Sequence, residues 1–192
     1  MRMIRLIGGM LVFLFLGCDS NFVPRPKGYP RIDLPAKNHN SYKGNCPFEF
    51  DYPVYSEISK HKGQTSMPCW LNLDFMPFKG RLHISYLSIE GPSNLAQYLE
   101  DTRSLAYKHT VKAHAIDEHL VIKEPEKVYG IVYDIKGSNT ASSLQFYLTD
   151  SVNHFIRGAL YFSVPPNNDS LSPVISFIKE DVDYFLESFT WK

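Results

Sequence analysis

The chain has 192 residues, 20 basic and 20 acidic side chains, a formal net charge of zero and 14% aromatic residues. That balance excludes the basic field of a nucleic-acid binder. The length suits one domain with a full-sized core plus a tail, and the aromatic content suits a packed β-rich interior.

The first segment reads as a processing signal. Arg2 and Arg5 form a positive n-region, and Leu6–Leu16 is an apolar run of eleven residues. A transmembrane helix needs about 20. Gly17 is the small residue that cleavage requires. Cys18 follows where a bacterial lipoprotein signal peptidase acts, with Phe15 at the position where Leu is usual. Residues 1–17 are therefore expected to be removed, and Cys18 to become a lipidated N-terminus. The mature chain then carries 18 basic and 20 acidic side chains.

Residues 18–44 read as an anchor and strap. Pro24, Pro26, Pro30 and Pro35 favour extended chain and block helix. Tyr29, Ile32 and Leu34 are not linker residues, so Lys27–Pro35 is expected to pack on the domain or on a partner. Lys27, Gly28, Tyr29, Arg31 and Ile32 are the candidate partner-binding residues.

The folded domain is expected over residues 45–192. Phe48, Phe50 and Tyr52 alternate with polar residues, the period of a half-buried strand. A polar loop is expected over Ser56–Ser66. Cys69, Leu71, Leu73 and Phe75 alternate next, and then Leu82, Ile84 and Tyr86 within Arg81–Leu87. With Cys18 lipidated, Cys46 and Cys69 remain, and two cysteines outside the cytoplasm read as one disulfide. Both sit at strand starts. The bridge then requires either parallel neighbours or a link outside the strand ladder.

Gly91-Pro92-Ser93-Asn94 opens a helix, with Ser93 or Asn94 as its cap. Its apolar stripe runs from Leu95 through Leu99, Leu105 and His109 to Ala113 and Ile116, about six turns. Four strands follow, His119–Lys123, Lys127–Lys136, Ser142–Thr149 and His154–Val164, close enough for an antiparallel meander. Gly130 and Gly158 lie within them and mark bulges or close packing. Ser172-Pro173 opens a second helix. Ile175, Ile178, Val182, Phe185, Leu186 and Phe189 form its stripe, with Asp181 and Asp183 on other faces. The class is α+β: a mainly antiparallel sheet with two amphipathic helices packed on it, similar in pattern to the Mog1/PsbP-like fold.

Chemistry is sparse. His109, His114 and His119 recur every five residues, which points adjacent members apart on a helix. No HExxH or CxxC motif and no G-x-S-x-G motif is present. Ser176 and Lys179 fit S-x-x-K, but Ser176 stands within a core helix and the companion motifs are missing. The pattern implies no metal and no catalytic residue. Arg103, Lys108, Asp134, Lys136 and Arg157 form a candidate polar cluster, read either as a salt-bridged face or as a partner-docking patch. Asp150-Ser151-Val152 and Asp169-Ser170-Leu171 resemble short O-glycosylation signals.

Several stretches together resemble one family. They are Pro24-Arg-Pro-Lys-Gly-Tyr-Pro-Arg-Ile-Asp-Leu-Pro35, Cys46-Pro-Phe-Glu-Phe-Asp-Tyr-Pro53 and Pro68-Cys-Trp-Leu-Asn72, followed by Leu95–Lys112, Val128–Gly137, Gln145–Asp150, Arg157–Phe162 and Trp191-Lys192. All resemble the gliding-motility lipoprotein GldD family of Bacteroidetes, with Pro30 a departure where an aromatic is expected. The resemblance implies a non-enzymatic envelope component with no cofactor, needed for gliding and for the linked type IX secretion machinery. Its partners would be other envelope proteins of that machinery, with the membrane engaged through lipid on Cys18 and the domain in the periplasm. A role in assembly or stability of partner lipoproteins follows. Two other classes stay open from the residues: an envelope enzyme acting on cell-wall or glycan material, marked by a polar pocket of acid and base groups, and a small-ligand module, marked by an apolar cavity.

Overall fold

The structure, a computed structural model, describes residues 31–60 and 67–192. Cys18, Lys27, Gly28 and Tyr29 lie outside the described residues. Arg31 and Ile32 belong to a compact unit ending at Ile32, without regular secondary structure of their own; the second unit spans Asp33–Lys192.

In chain order this second unit contains β1 (His39–Tyr42), β2 (Phe48–Pro53), β3 (Glu57–Lys60), β4 (Leu71–Phe75), β5 (Gly80–Ser88), α1 (Pro92–Tyr107), β6 (Ala115–Lys123), β7 (Val128–Lys136), β8 (Ser142–Thr149), β9 (His154–Phe162), α2 (Asn168–Ser188) and β10 (Thr190–Trp191). Seven strands form one antiparallel sheet in the order β3-β4-β5-β9-β8-β7-β6. The expected meander is its β6–β9 half. A second sheet, β1-β2-β10, is also antiparallel.

The large sheet is covered on both faces. Along β8, Phe146 turns to one side and meets Phe185 of α2 with ring centroids 5.7 Å apart. Tyr147 turns to the other and packs on a cluster of Ala106 from α1 with Tyr133 and Ile135 from β7. Tyr98 of α1 meets Phe155 of β9 on that same side. The helices therefore sandwich the sheet. This is why β8 is buried at nearly every position and reads as a continuous run rather than an alternation. The small sheet caps the α2 side, where Phe48 and Phe50 stack on Phe189 and Phe185. Stacked and tilted aromatic pairs of this kind add to plain area burial.

Gly130 and Gly158 mark close packing. A Cβ at Gly130 would stand 2.0 Å from the Tyr147 carbonyl oxygen, and one at Gly158 2.2 Å from two Phe146 ring atoms.

Several boundaries differ from the sequence reading. The first helix ends at Tyr107, and a 3₁₀ turn over Lys108–Val111 leads into β6. β-Branched Thr110 and Val111 disfavour helix there. Ala113 and Ile116 nonetheless pack on the same Ala106 cluster, so the stripe continues through a change of structure. Gly91, not Ser93 or Asn94, precedes the first helical residue; the Asn94 side chain accepts from the Glu90 N–H instead. The second helix begins at Asn168, a turn before Ser172. Asn167 caps it by accepting from the Ser170 N–H, and Pro173 falls within the helix. Part of the expected loop Ser56–Ser66 is the edge strand β3. Residues 33–44, read as strap, belong to the folded unit and supply β1.

Cys46 and Cys69 are joined, with 5.6 Å between their Cα atoms. Neither lies in a ladder. The bridge ties the start of β2 in the small sheet to the turn before β4 in the large one. Of the two geometries left open by the sequence, this is the link outside the ladder.

Candidate functional site

Two constellations stand out, one where the strap enters the domain and one on the opposite face.

The first is built by Lys37, His39, Tyr55 and Asp181. Asp181 sits in α2 among Ile178, Val182 and Phe185 and is 2% exposed, although the sequence pattern sets it off the apolar stripe. Its Oδ2 accepts from the Tyr55 hydroxyl. Its Oδ1 lies 2.9 Å from the Lys37 ammonium, an ion pair lacking hydrogen-bond alignment. Lys37 also donates to the Phe177 carbonyl at 2.5 Å and lies over the Phe177 ring. His39 stacks on Tyr184 of the same helix. Burial, and then the hydrogen bond to the carboxylate, push the Tyr55 phenol far above its ordinary value, so it remains a donor. A buried carboxylate costs heavily unless paired and hydrogen-bonded. Here Lys37 and His39 come from the strap side of the chain, so the pairing clasps the residues after Asp33 onto α2.

The second is a cleft of about 460 Å³ on the α1 face. Its floor is the part of β4, β5 and β9 that α1 leaves open. Trp70 walls one side; its indole N–H donates to the Tyr86 carbonyl at 2.9 Å, which fixes the ring. His83 and Asn72 are hydrogen-bonded to each other across β4 and β5 at 2.8 Å. His109 pairs with buried Gln145 at 2.9 Å. Burial holds the His109 imidazole below its usual range, so it is neutral and accepts from the amide. Arg157 and Lys108 supply positive charge, and no carboxylate is among the described lining residues.

The structure separates the other polar residues singled out from the sequence. Asp134 faces α2 and pairs with Lys179, which also accounts for the S-x-x-K lysine. Lys136 pairs with Asp117. Arg103 stacks on Tyr107. Of that cluster, Lys108 and Arg157 share the cleft. His109, His114 and His119 do not converge, and among the described residues no group of three or more His, Cys, Asp or Glu is placed to hold a metal ion. Ser151 and Ser170 are both exposed. The signal for the cleft was the parity of β9, which puts Arg157, Ala159 and Tyr161 on one face. For the clasp it was an aspartate three residues after Ile178 and one before Val182.

An antiparallel sheet held between two helices defines an α+β domain, and its fold is Mog1/PsbP-like. The solution structure of cyanobacterial PsbP (CyanoP) from Synechocystis sp. PCC 6803 matches with a TM-score of 0.50, covering 85% of this chain and 98% of that one at 12% identity. That likeness is one of fold. The model of the family described as gliding motility lipoprotein GldD matches residues 19–191, and the chain belongs to that family. No curated protein matches it. It is thus a gliding-motility lipoprotein, consistent with a membrane-associated place in the cell envelope. Among the described residues no helix is long and apolar enough to cross a membrane.

Proposed function

We propose that this chain is a non-enzymatic, lipid-anchored component of the envelope that serves gliding motility and the linked type IX secretion machinery by assembling or stabilising partner lipoproteins. Cys18 carries the lipid, residues 1–17 are removed, and the domain stands in the periplasm. Lys27, Gly28, Tyr29, Arg31 and Ile32 contact the partner. The observation that carries this reading is the family match, which starts at the residue after Cys18 and runs to residue 191. The clasp of Lys37 on Asp181 adds support, because it fixes the position on the domain from which the strap departs.

The test is Tyr29→Ala combined with Ile32→Ala. The variant is expected to be lipidated normally, as read by palmitate labelling, yet to lose spreading, secretion and normal levels of sister lipoproteins. Wild-type gliding in that variant reduces the strap to a plain tether. Cys18→Ala is expected to abolish labelling and release the chain from membranes. Separation of the two membranes then assigns the anchor to one of them.

A further inference from the structure

We propose that the cleft on the α1 face binds a small molecule bearing an oxyanion of the phosphate or carboxylate class, which Arg157 and Lys108 hold.

Arg157 projects from the middle of β9, directly opposite Tyr147 of β8, and is partly buried. A guanidinium stays charged at any accessible pH, so burial there works against a charge that cannot be shed. The other partly buried cations with a side-chain partner, Lys37 and Lys179, each have a carboxylate within ion-pair distance. Among the described residues no carboxylate comes that close to Arg157. Beside the phenol of Tyr161, Asp101 on α1 is the one carboxylate whose field it feels, from outside pairing range. Lys108 adds a second positive charge to the same cleft, and among the described residues its lining contains neither aspartate nor glutamate.

The remaining walls suit a compact organic ligand rather than a bare ion. The volume falls within the range of small-molecule sites, about 300–1,000 Å³. The fixed Trp70 ring, Leu105 and Ala159 give apolar surface, while Asn72, Gln145 and Tyr161 place polar groups around it. Arginine matches oxyanions bidentately, which makes it the specific contact, and lysine contributes mainly charge. The inference concerns a different face from the one that carries the Lys37 clasp and stands or falls independently of the anchor reading.

The experiment titrates the full chain in detergent, by calorimetry, with glucose 1-phosphate, glucuronate and glucose. Binding of either anionic sugar, with glucose silent, is expected; the tighter of the two identifies the phosphate or the carboxylate source. Arg157→Gln should weaken binding about tenfold or more, as loss of a charge-assisted pair does, and Lys108→Gln severalfold. Asp101→Asn should tighten it, because the opposing charge is gone; a merely structural Arg157 would not produce that gain. If Arg157→Gln fails to fold, exposed Lys108 and Asp101 carry the test. Silence of both anionic sugars overturns the proposal, as does binding that Lys108→Gln and Asp101→Asn leave unchanged.

Discussion

The ammonium of Lys37 sits 2.9 Å from Oδ1 of Asp181, a carboxylate whose side chain is 1% exposed, although 144 positions separate the two in the chain. The contact decides whether the residues leading into β1 belong to the domain. Lys37→Met leaves the carboxylate with the Tyr55 hydroxyl and with His39, whose Nε2 lies 3.8 Å from Oδ1. We expect it to cost about 2 kcal/mol, the scale of a buried charged group losing a partner. Urea unfolding would give the loss, and hydrogen exchange should show the amides of β1 opening before those of β8. An unchanged midpoint with β1 still protected would mean that His39 and Tyr184 suffice.

Reduction of Cys46–Cys69 removes the covalent tie between the two sheets. In the chain-entropy account, closing a loop of this length stabilises by about 3 kcal/mol. The double variant Cys46→Ala with Cys69→Ala should lower the urea midpoint to match, and reductant should shift the wild type but not the variant. Rapid thiol labelling of the unreduced protein at both cysteines would contradict the bridge.

Gly158→Ala should destabilise by about 3 kcal/mol through overpacking. Phe146, the side chain in its way, is fully buried and pressed between Gly158 and Phe185. Gly130→Ala is expected to be worse, because the obstacle is the Tyr147 backbone, which the ladder holds in place. Expression and thermal midpoints of the two variants rank the effects; a Gly130→Ala protein as stable as wild type would refute the ranking.

The turn between β8 and β9 should make stability acid-sensitive. Burial raises the Asp150 pKa, but the N–H groups of His154, Val152 and Asn153, at 2.8, 3.0 and 2.9 Å, outweigh it and hold the carboxyl below its ordinary 3.8. A depressed folded value means that the stabilisation is complete above about pH 3.8 and is lost as pH falls through the folded pKa. His109 acts in the same direction over a higher window. Its folded value lies below 6.5, so the unfolded chain takes up the proton first and stability declines as pH drops past 6.5. Asp150→Ala should cost about 1–2 kcal/mol near neutral pH and flatten the lower limb. His109→Gln should flatten the upper one. Stability curves from pH 7 to 3 separate the two effects.

The meander and its flanking strands were legible because each carries an uninterrupted apolar set bounded by Gly, Pro, Asn or Asp. Short or peripheral strands were not. β3 is four residues at a sheet edge, where Ser59 and Lys60 leave no alternation to read. β1 and β10 exist only because β2 lies between them. The end of α1 was obscured since Ala113 and Ile116 keep a helical spacing while packing from a turn and a strand. Among polar residues, sequence grouped Arg157 with Lys108 correctly but added Asp134, which strand parity puts on the other face. The burial of Asp181 was not legible, because an aspartate off the apolar stripe of an amphipathic helix is ordinarily solvated. Its burial is set by Lys37 and Tyr55, whose proximity no local pattern records.

The position of the disulfide has a mechanical consequence. A load applied to the chain at Asp33 first meets the Lys37 clasp and the four-residue pairing of β1 with β2. Those contacts can peel apart in sequence. The fourteen residues from Asp33 to Cys46 would then span at most roughly 45 Å. At Cys46 the yielding stops, because the bond to Cys69 passes the force into the turn before β4 and so into the central sheet. The domain is thus built with a short extensible leader and a covalent limit, and tension on its N-terminal side reaches the sandwich without unravelling it.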